Sequence, residues 1–155
     1  MSVAGWANAE VEDPGRREIG KLDVRVFHAT DAKPAVDGTP ADGTLVKRFQ
    51  SEKRLRFKHY RVLGRDVQPL FQSYENWAQP LKPSNEILVR FEAQGHPTAN
   101  SAVVDLELWI SRKKTVKTDA TLRGGRPLFV LGPEWRGGRL IISVALADRS
   151  DKVAK

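Results

Sequence analysis

"LRGGRPLFVLG" at residues 122–132 and "WRGGRLIISVA" at 135–145 carry the same Arg-Gly-Gly-Arg tetrad, each time with an apolar run directly behind it. Gly-Gly supplies the positive φ angles that tight hairpin turns require, and those turns match the twist of the strands they join. Nucleic-acid-binding RGG segments work instead as disordered arms with many repeats and interspersed aromatics. Two isolated copies joined to apolar runs therefore read as turn chemistry. The sequence predicts a hairpin across Gly124-Gly125 with "PLFVL" as its second arm, then another, with a longer loop, from "FVLGPEWRGG" into "RLIISVALA".

Outward from these turns the dominant period is two. Leu22, Val24 and Val26 share one face of "KLDVRVFHA", as do Ile87, Val89 and Phe91 of "EILVRFE", and Val104, Leu106, Leu108 and Ile110 of "VVDLELWI". Residues two apart lie on one side of a strand, so each run offers an apolar side to a core. "RLRFKHYRV" at 54–62 alternates more weakly, with Leu55 and Phe57 inward. In 139–147 Leu140, Ile142, Val144 and Leu146 point inward, and the opposite face of Ile141, Ser143, Ala145 and Ala147 is uncharged, as suits a central strand covered on both sides.

"TDAKPAVDGTPADG" at 30–43 and "QPLFQSYENWAQPLKPSNE" at 68–86 hold two and three prolines. Proline cannot donate to a central ladder, so both read as connections, the second with one helical turn from Tyr74 to Ala78. No window carries a sustained helical pattern. The expected fold is all-β: a single antiparallel β-sandwich, immunoglobulin-like or jelly-roll-like, with long Pro/Gly-rich loops. It spans 21–148, between a flexible N-terminal arm at 1–20 and a charged tail at 149–155.

A chain of 155 residues has room for one such domain, and 40% hydrophobic with 29% charged residues reads as globular. The absence of cysteine excludes disulfides, thiolate metal sites and a cysteine nucleophile. No apolar run reaches the 18 residues of a membrane-spanning helix. Ala7-Asn8-Ala9 resembles the cleavage end of an export signal without the basic start and apolar stretch that should precede it. That fragment inclines the expected location toward the exported, periplasmic or envelope side rather than the cytoplasm.

The net charge is +7, and its placement is informative. Lys47 to Arg65 holds eight basic residues and one acid, Glu52, whereas the rest of the chain balances at eighteen of each sign. Read as a strand, 54–62 places Arg54, Arg56, Lys58 and Tyr60 on one face, followed by Arg61. A basic stripe of this kind tracks a phosphate backbone or another anionic surface. The same stripe on an edge strand also guards against strand-to-strand aggregation.

Asp105 and Glu107 alternate on the outward face of "VVDLELWI" beside Trp109, the carboxylate spacing that sandwich-type glycosidases use. Alternating charge is equally the ordinary dress of a solvated sheet face. Trp77 and Trp135 sit among turn residues, where a large aromatic caps a core or stands at a recognition site. His28, His59 and His96 match no metal-binding spacing, and His28 continues the inward row of Val26. No nucleophile elbow or phosphate loop is present. The expectation is a non-catalytic binding or structural module, without cofactor or metal, that docks a protein partner or assembles with itself, in the bacterial envelope. The alternatives are a carbohydrate-binding module using Tyr60, Trp77, Trp109 or Trp135, and a nucleic-acid or polyanion binder using Arg54, Arg56, Lys58 and Arg61.

Overall fold

The computed structural model of the chain describes residues 13–33, 36–95, 98 and 100–147. Among these residues nine strands form: β1 (Glu18–Thr30), β2 (Thr39–Pro40), β3 (His59–Phe71), β4 (Asn76–Ala78), β5 (Ile87–Gln94), β6 (Ser101–Ile110), β7 (Lys113–Arg123), β8 (Leu128–Trp135) and β9 (Gly138–Leu146). Between β2 and β3 lies one helix, α1 (Gly43–Gln50). All pairings are antiparallel, in a five-stranded sheet of order β2-β3-β1-β9-β8 and a four-stranded meander β4-β5-β6-β7. The chain is an all-β sandwich. Among the described residues no helix is long and apolar enough to cross a membrane.

The alternating rows meet between the sheets. Leu22, Val24 and Val26 of β1 and Leu140, Ile142 and Val144 of β9 pack against Val89, Phe91, Val104, Leu106 and Leu108 of the opposite sheet. Burying each such side chain contributes about 1.5–3 kcal/mol, so these rows set the phase of four strands at once. The uncharged second face of β9 is covered at Ile141 and Ser143, while Ala145 and Ala147 are half-buried. Ile141, with Phe27 and Ala29 of β1 and Tyr60 of β3, lies under α1, whose Phe49 is fully buried. The Phe49 ring meets Phe27, Tyr60 and Phe129 at centroid distances of 5.1, 4.9 and 4.8 Å.

Helix α1 and the turn behind it overturn the strand expected at 54–62. Asp42 caps α1 by accepting from the Thr44 amide at 3.3 Å, and a 3-10 turn, Lys53–Leu55, succeeds the helix. Strand β3 begins only at His59. Leu55 and Phe57 do point inward, but as anchors of an irregular cap on the second core. Arg54, Arg56, Lys58 and Tyr60 therefore do not form one strand face.

The proline-rich stretch at 68–86 also differs from expectation. Strand β3 runs on through Pro69, opposite Lys21, because the two-residue β2 pairs only with Val62 and Arg61 and leaves β3 as an edge beyond them. Asn76–Ala78 is a strand paired with β5, not a helical turn. At the N-terminal side, a 3-10 turn at Pro14–Arg16 and β1 from Glu18 precede the boundary expected at residue 21, with Asp13 accepting from the Gly15 amide. Residues 1–12, with the signal-like Ala7-Asn8-Ala9, and the tail at 149–155 lie outside the described residues.

The two RGGR tetrads are turns of different kinds. The second is a tight hairpin without the longer loop: Arg136 and Gly137 have φ of 47° and 83°, a type I′ pattern, and Trp135 pairs with Gly138. Gly132 and Pro133 belong to β8, where the register shifts between Leu131 and Glu134. The first tetrad turns tightly, with Gly125 at φ 77° and the Arg126 amide donating to the Arg123 carbonyl at 3.1 Å, but it is no hairpin. Pro127 comes next and cannot donate, so pairing stops at a single Arg123–Arg126 bridge and β8 crosses to the other sheet.

That crossover makes the two sides of the sandwich unequal. On one side Gly64 of β3 lies so close under the Pro80 carbonyl that a Cβ would overlap it. The buried Asp66 there accepts from the Gln79 amide at 2.7 Å and the Lys82 ammonium at 2.9 Å. On the other side β7 and β8 are both edges without a further partner among the described residues.

Candidate functional site

Between those edges runs a groove of about 650 Å³. It is lined by Thr118, Asp119 and Ala120 of β7, the Pro127–Leu131 segment, and Glu52, Arg54 and Leu55 of the cap. Leu128, Phe129, Val130 and Leu131 are all half-buried, since each sits where a core opens to the rim. Leu128 and Val130 pack on the core between the sheets, and Phe129 and Leu131 on the core beneath α1. Strand periodicity alone does not reveal this groove. The signal for it is "PLFVL", apolar on both faces behind a proline that lacks a ladder donor.

The basic residues gather on the cap. Lys47, Arg48, Lys53, Arg54, Arg56 and Lys58 are all exposed, and among the described residues none of the six pairs with a carboxylate. Backbone bonds shape this surface: Arg56 Nε donates to the Gln50 carbonyl at 2.8 Å, and the Lys58 amide donates to Asp31 at 3.1 Å. Arg61 is set apart, half-buried on β3 with its guanidinium donating to the Gly38 carbonyl.

Of the aromatic candidates, Tyr60 is buried and its hydroxyl is fully engaged within the cap, so it presents no stacking face. Trp135 is only 8% exposed and packs in the core between the sheets. Its indole N–H donates to Glu86 at 3.0 Å, the Arg136 guanidinium lies 4.2 Å over its ring, and its carbonyl accepts from His28 Nε2 at 3.0 Å. His28 is thus a bonded core residue. Trp77 and Trp109 do meet, at 5.9 Å, but at 59° to each other and not as one flat platform.

Trp77 and Trp109 border an ion-pair network on the outer face of the meander. Trp77, Arg90, Glu107 and Lys117 lie in one cross-strand row of β4, β5, β6 and β7. Arg90 pairs with Glu75, Glu92 and Asp105, and Lys117 Nζ lies 2.9 Å from Asp105 and 3.6 Å from Glu107. The Lys117 hydrogen bond, reinforced by Arg90, holds the Asp105 carboxyl below the ordinary range. The Trp109 indole N–H, then the charges of Arg90, Lys114 and Lys117, do the same for Glu107. Glycoside hydrolysis needs one carboxyl raised so that it can deliver a proton. Here both carboxyls are instead stabilised as anions. Among the described residues no cluster of His, Asp and Glu is placed to hold a metal ion. Compared with protein families, characterised proteins and solved structures, the chain matches none of them.

Proposed function

We propose that the chain is a non-catalytic docking module that binds a protein partner along the open side of its sandwich. One observation carries this reading: among the described residues β8 presents an unpaired edge of four successive apolar residues, Leu128–Leu131, over a groove walled by β7 and the cap. An unpaired edge offers backbone donors and acceptors to an extended segment, and its side-chain pockets select what is added. Protected edges are normally short, charged or covered. Here Pro127 and Pro133 bracket the edge and limit its length, while the segment between them carries no charge.

The carbohydrate reading is less well supported, since Tyr60 and Trp135 are buried and the Trp77 and Trp109 rings are steeply tilted. The test is hydrogen exchange on the full chain bound to extended peptides selected from a displayed library. Docking at β8 slows exchange of amides within Leu128–Leu131. Protection confined to the Trp77 and Trp109 face would overturn the proposal.

A further inference from the structure

From the cap beside the groove we infer that the docked segment is an acidic one: an extended stretch of a partner protein alternating acidic and apolar residues, paired to β8. This rests on the docking reading above and names the chemistry of its partner. A strand added to β8 turns alternate side chains to two sides. The same alternation in β8 sends Leu128 and Val130 to the inter-sheet core and Phe129 and Leu131 to the side covered by the cap. An added strand therefore has one set of side chains facing β7, whose groove wall is Thr118, Asp119 and Ala120; Ala120, with Leu128 of β8, calls for apolar groups there. Its other set faces the cap, where Arg54, Glu52 and Leu55 line the groove and Lys53 lies between Glu52 and Arg54 in the chain.

Lys47, Arg48, Arg56 and Lys58 add to the same field, and Glu52 is the single acid among residues 47–58. Six cations without carboxylate partners among the described residues steer and select an anion more than they bind one tightly, whereas the strand edge supplies the backbone bonds. A single-stranded nucleic acid fits less well, because it needs exposed aromatic rings for its bases. The aromatics of the cap region, Phe49, Phe57 and Tyr60, are turned into the second core.

The test titrates the full chain with a short capped peptide alternating Glu and Val, the matching peptide alternating Lys and Val, and a single-stranded oligothymidine. Exchange protection at Leu128–Leu131 is followed in each case. The acidic peptide is expected to protect β8, to weaken as salt rises, and to bind about ten-fold or more tighter than the lysine peptide. The exposed double reversal Lys53→Glu with Arg54→Glu should remove that preference without changing thermal stability. If both peptides protect β8 equally, the acidic assignment is wrong and the docking reading stands. If neither protects β8, both are wrong. If the oligonucleotide binds more tightly than the acidic peptide and leaves β8 unprotected, the cap is a nucleic-acid surface and the inference is overturned.

Discussion

The Tyr60 hydroxyl donates to the Leu55 carbonyl at 2.6 Å, and this bond closes the cap onto the second core. The same oxygen accepts from the Phe57 amide at 2.9 Å and from the Gln50 side chain at 3.1 Å. One phenol in β3 thus binds α1, the 3-10 turn and the loop after it. Replacing Tyr60 by Phe keeps the ring in place but leaves a buried carbonyl and an amide without partners, at a cost of about 1–3 kcal/mol each if water does not replace the hydroxyl. The expected outcome is a lowered denaturation midpoint together with faster proteolysis within Gln50–His59. An unchanged midpoint would show that the cap does not depend on this oxygen.

Leu108 is 3% exposed and its strand phase is common to the whole inner row of β6. Leu108→Ala should destabilise the domain by about 2–5 kcal/mol in denaturant unfolding. A change below about 0.5 kcal/mol would contradict the burial described for β6.

The inner rows were legible because burial between two sheets imposes period two on Val104, Leu106 and Leu108 as strictly as on Leu140, Ile142 and Val144. The cap was not. Arg54, Leu55, Arg56 and Phe57 alternate as in a strand, and the decision against a strand is made by distant groups, chiefly Tyr60 and the second core. With only eight residues, α1 is too short to repeat its Leu45, Val46 and Phe49 pattern. A tight turn at Gly125 could be read from the sequence, but which sheet each arm joins could not. Strand order is a tertiary property, and the open side of the sandwich, with its groove, depends on strand order. Of the site candidates, Arg54 reached the groove, Trp77 and Trp109 came together elsewhere, and Tyr60 and Trp135 went to structural duty.

Gly125 holds the left-handed conformation, φ 77°, that the crossover requires. A β-branched residue is strongly disfavoured there, so Gly125→Val should cost about 1–3 kcal/mol. Gly125→Asn should cost less, since Asn tolerates that region. Equal unfolding free energies for the Val and Asn variants would show that the turn relaxes to another conformation.

Four of the carboxylates held below their ordinary values, Asp23, Asp66, Asp105 and Glu107, should contribute to the acid limb of the stability curve. Burial pushes the Asp23 carboxyl up, but hydrogen bonds from Arg65 and Arg25 outweigh it and leave the group below its ordinary value. Burial likewise opposes, and the Gln79 amide, Lys82 and Gln68 overcome it, at Asp66. Asp105 and Glu107 are lowered by Lys117 and Trp109 respectively, with Arg90 assisting both. Unfolded carboxyls titrate near about pH 4, so just below that the unfolded chain binds more protons than the folded one. Stability therefore rises with pH across this window: the contribution is complete above about pH 5 and is lost as pH falls through the lowered folded values. Asp66 is the sharpest probe, because its side chain is only 4% exposed and it joins β3 to the β4–β5 connection. Asp66→Asn should lower stability at neutral pH by about 1–3 kcal/mol, since the Gln79 amide and Lys82 lose an anionic acceptor. Because the variant has one fewer carboxyl to protonate, its stability should also fall less steeply below about pH 4. Denaturant midpoints measured from about pH 3 to 8 check both effects, and a variant whose acid slope matches the parent would exclude Asp66 as a source of the pH dependence.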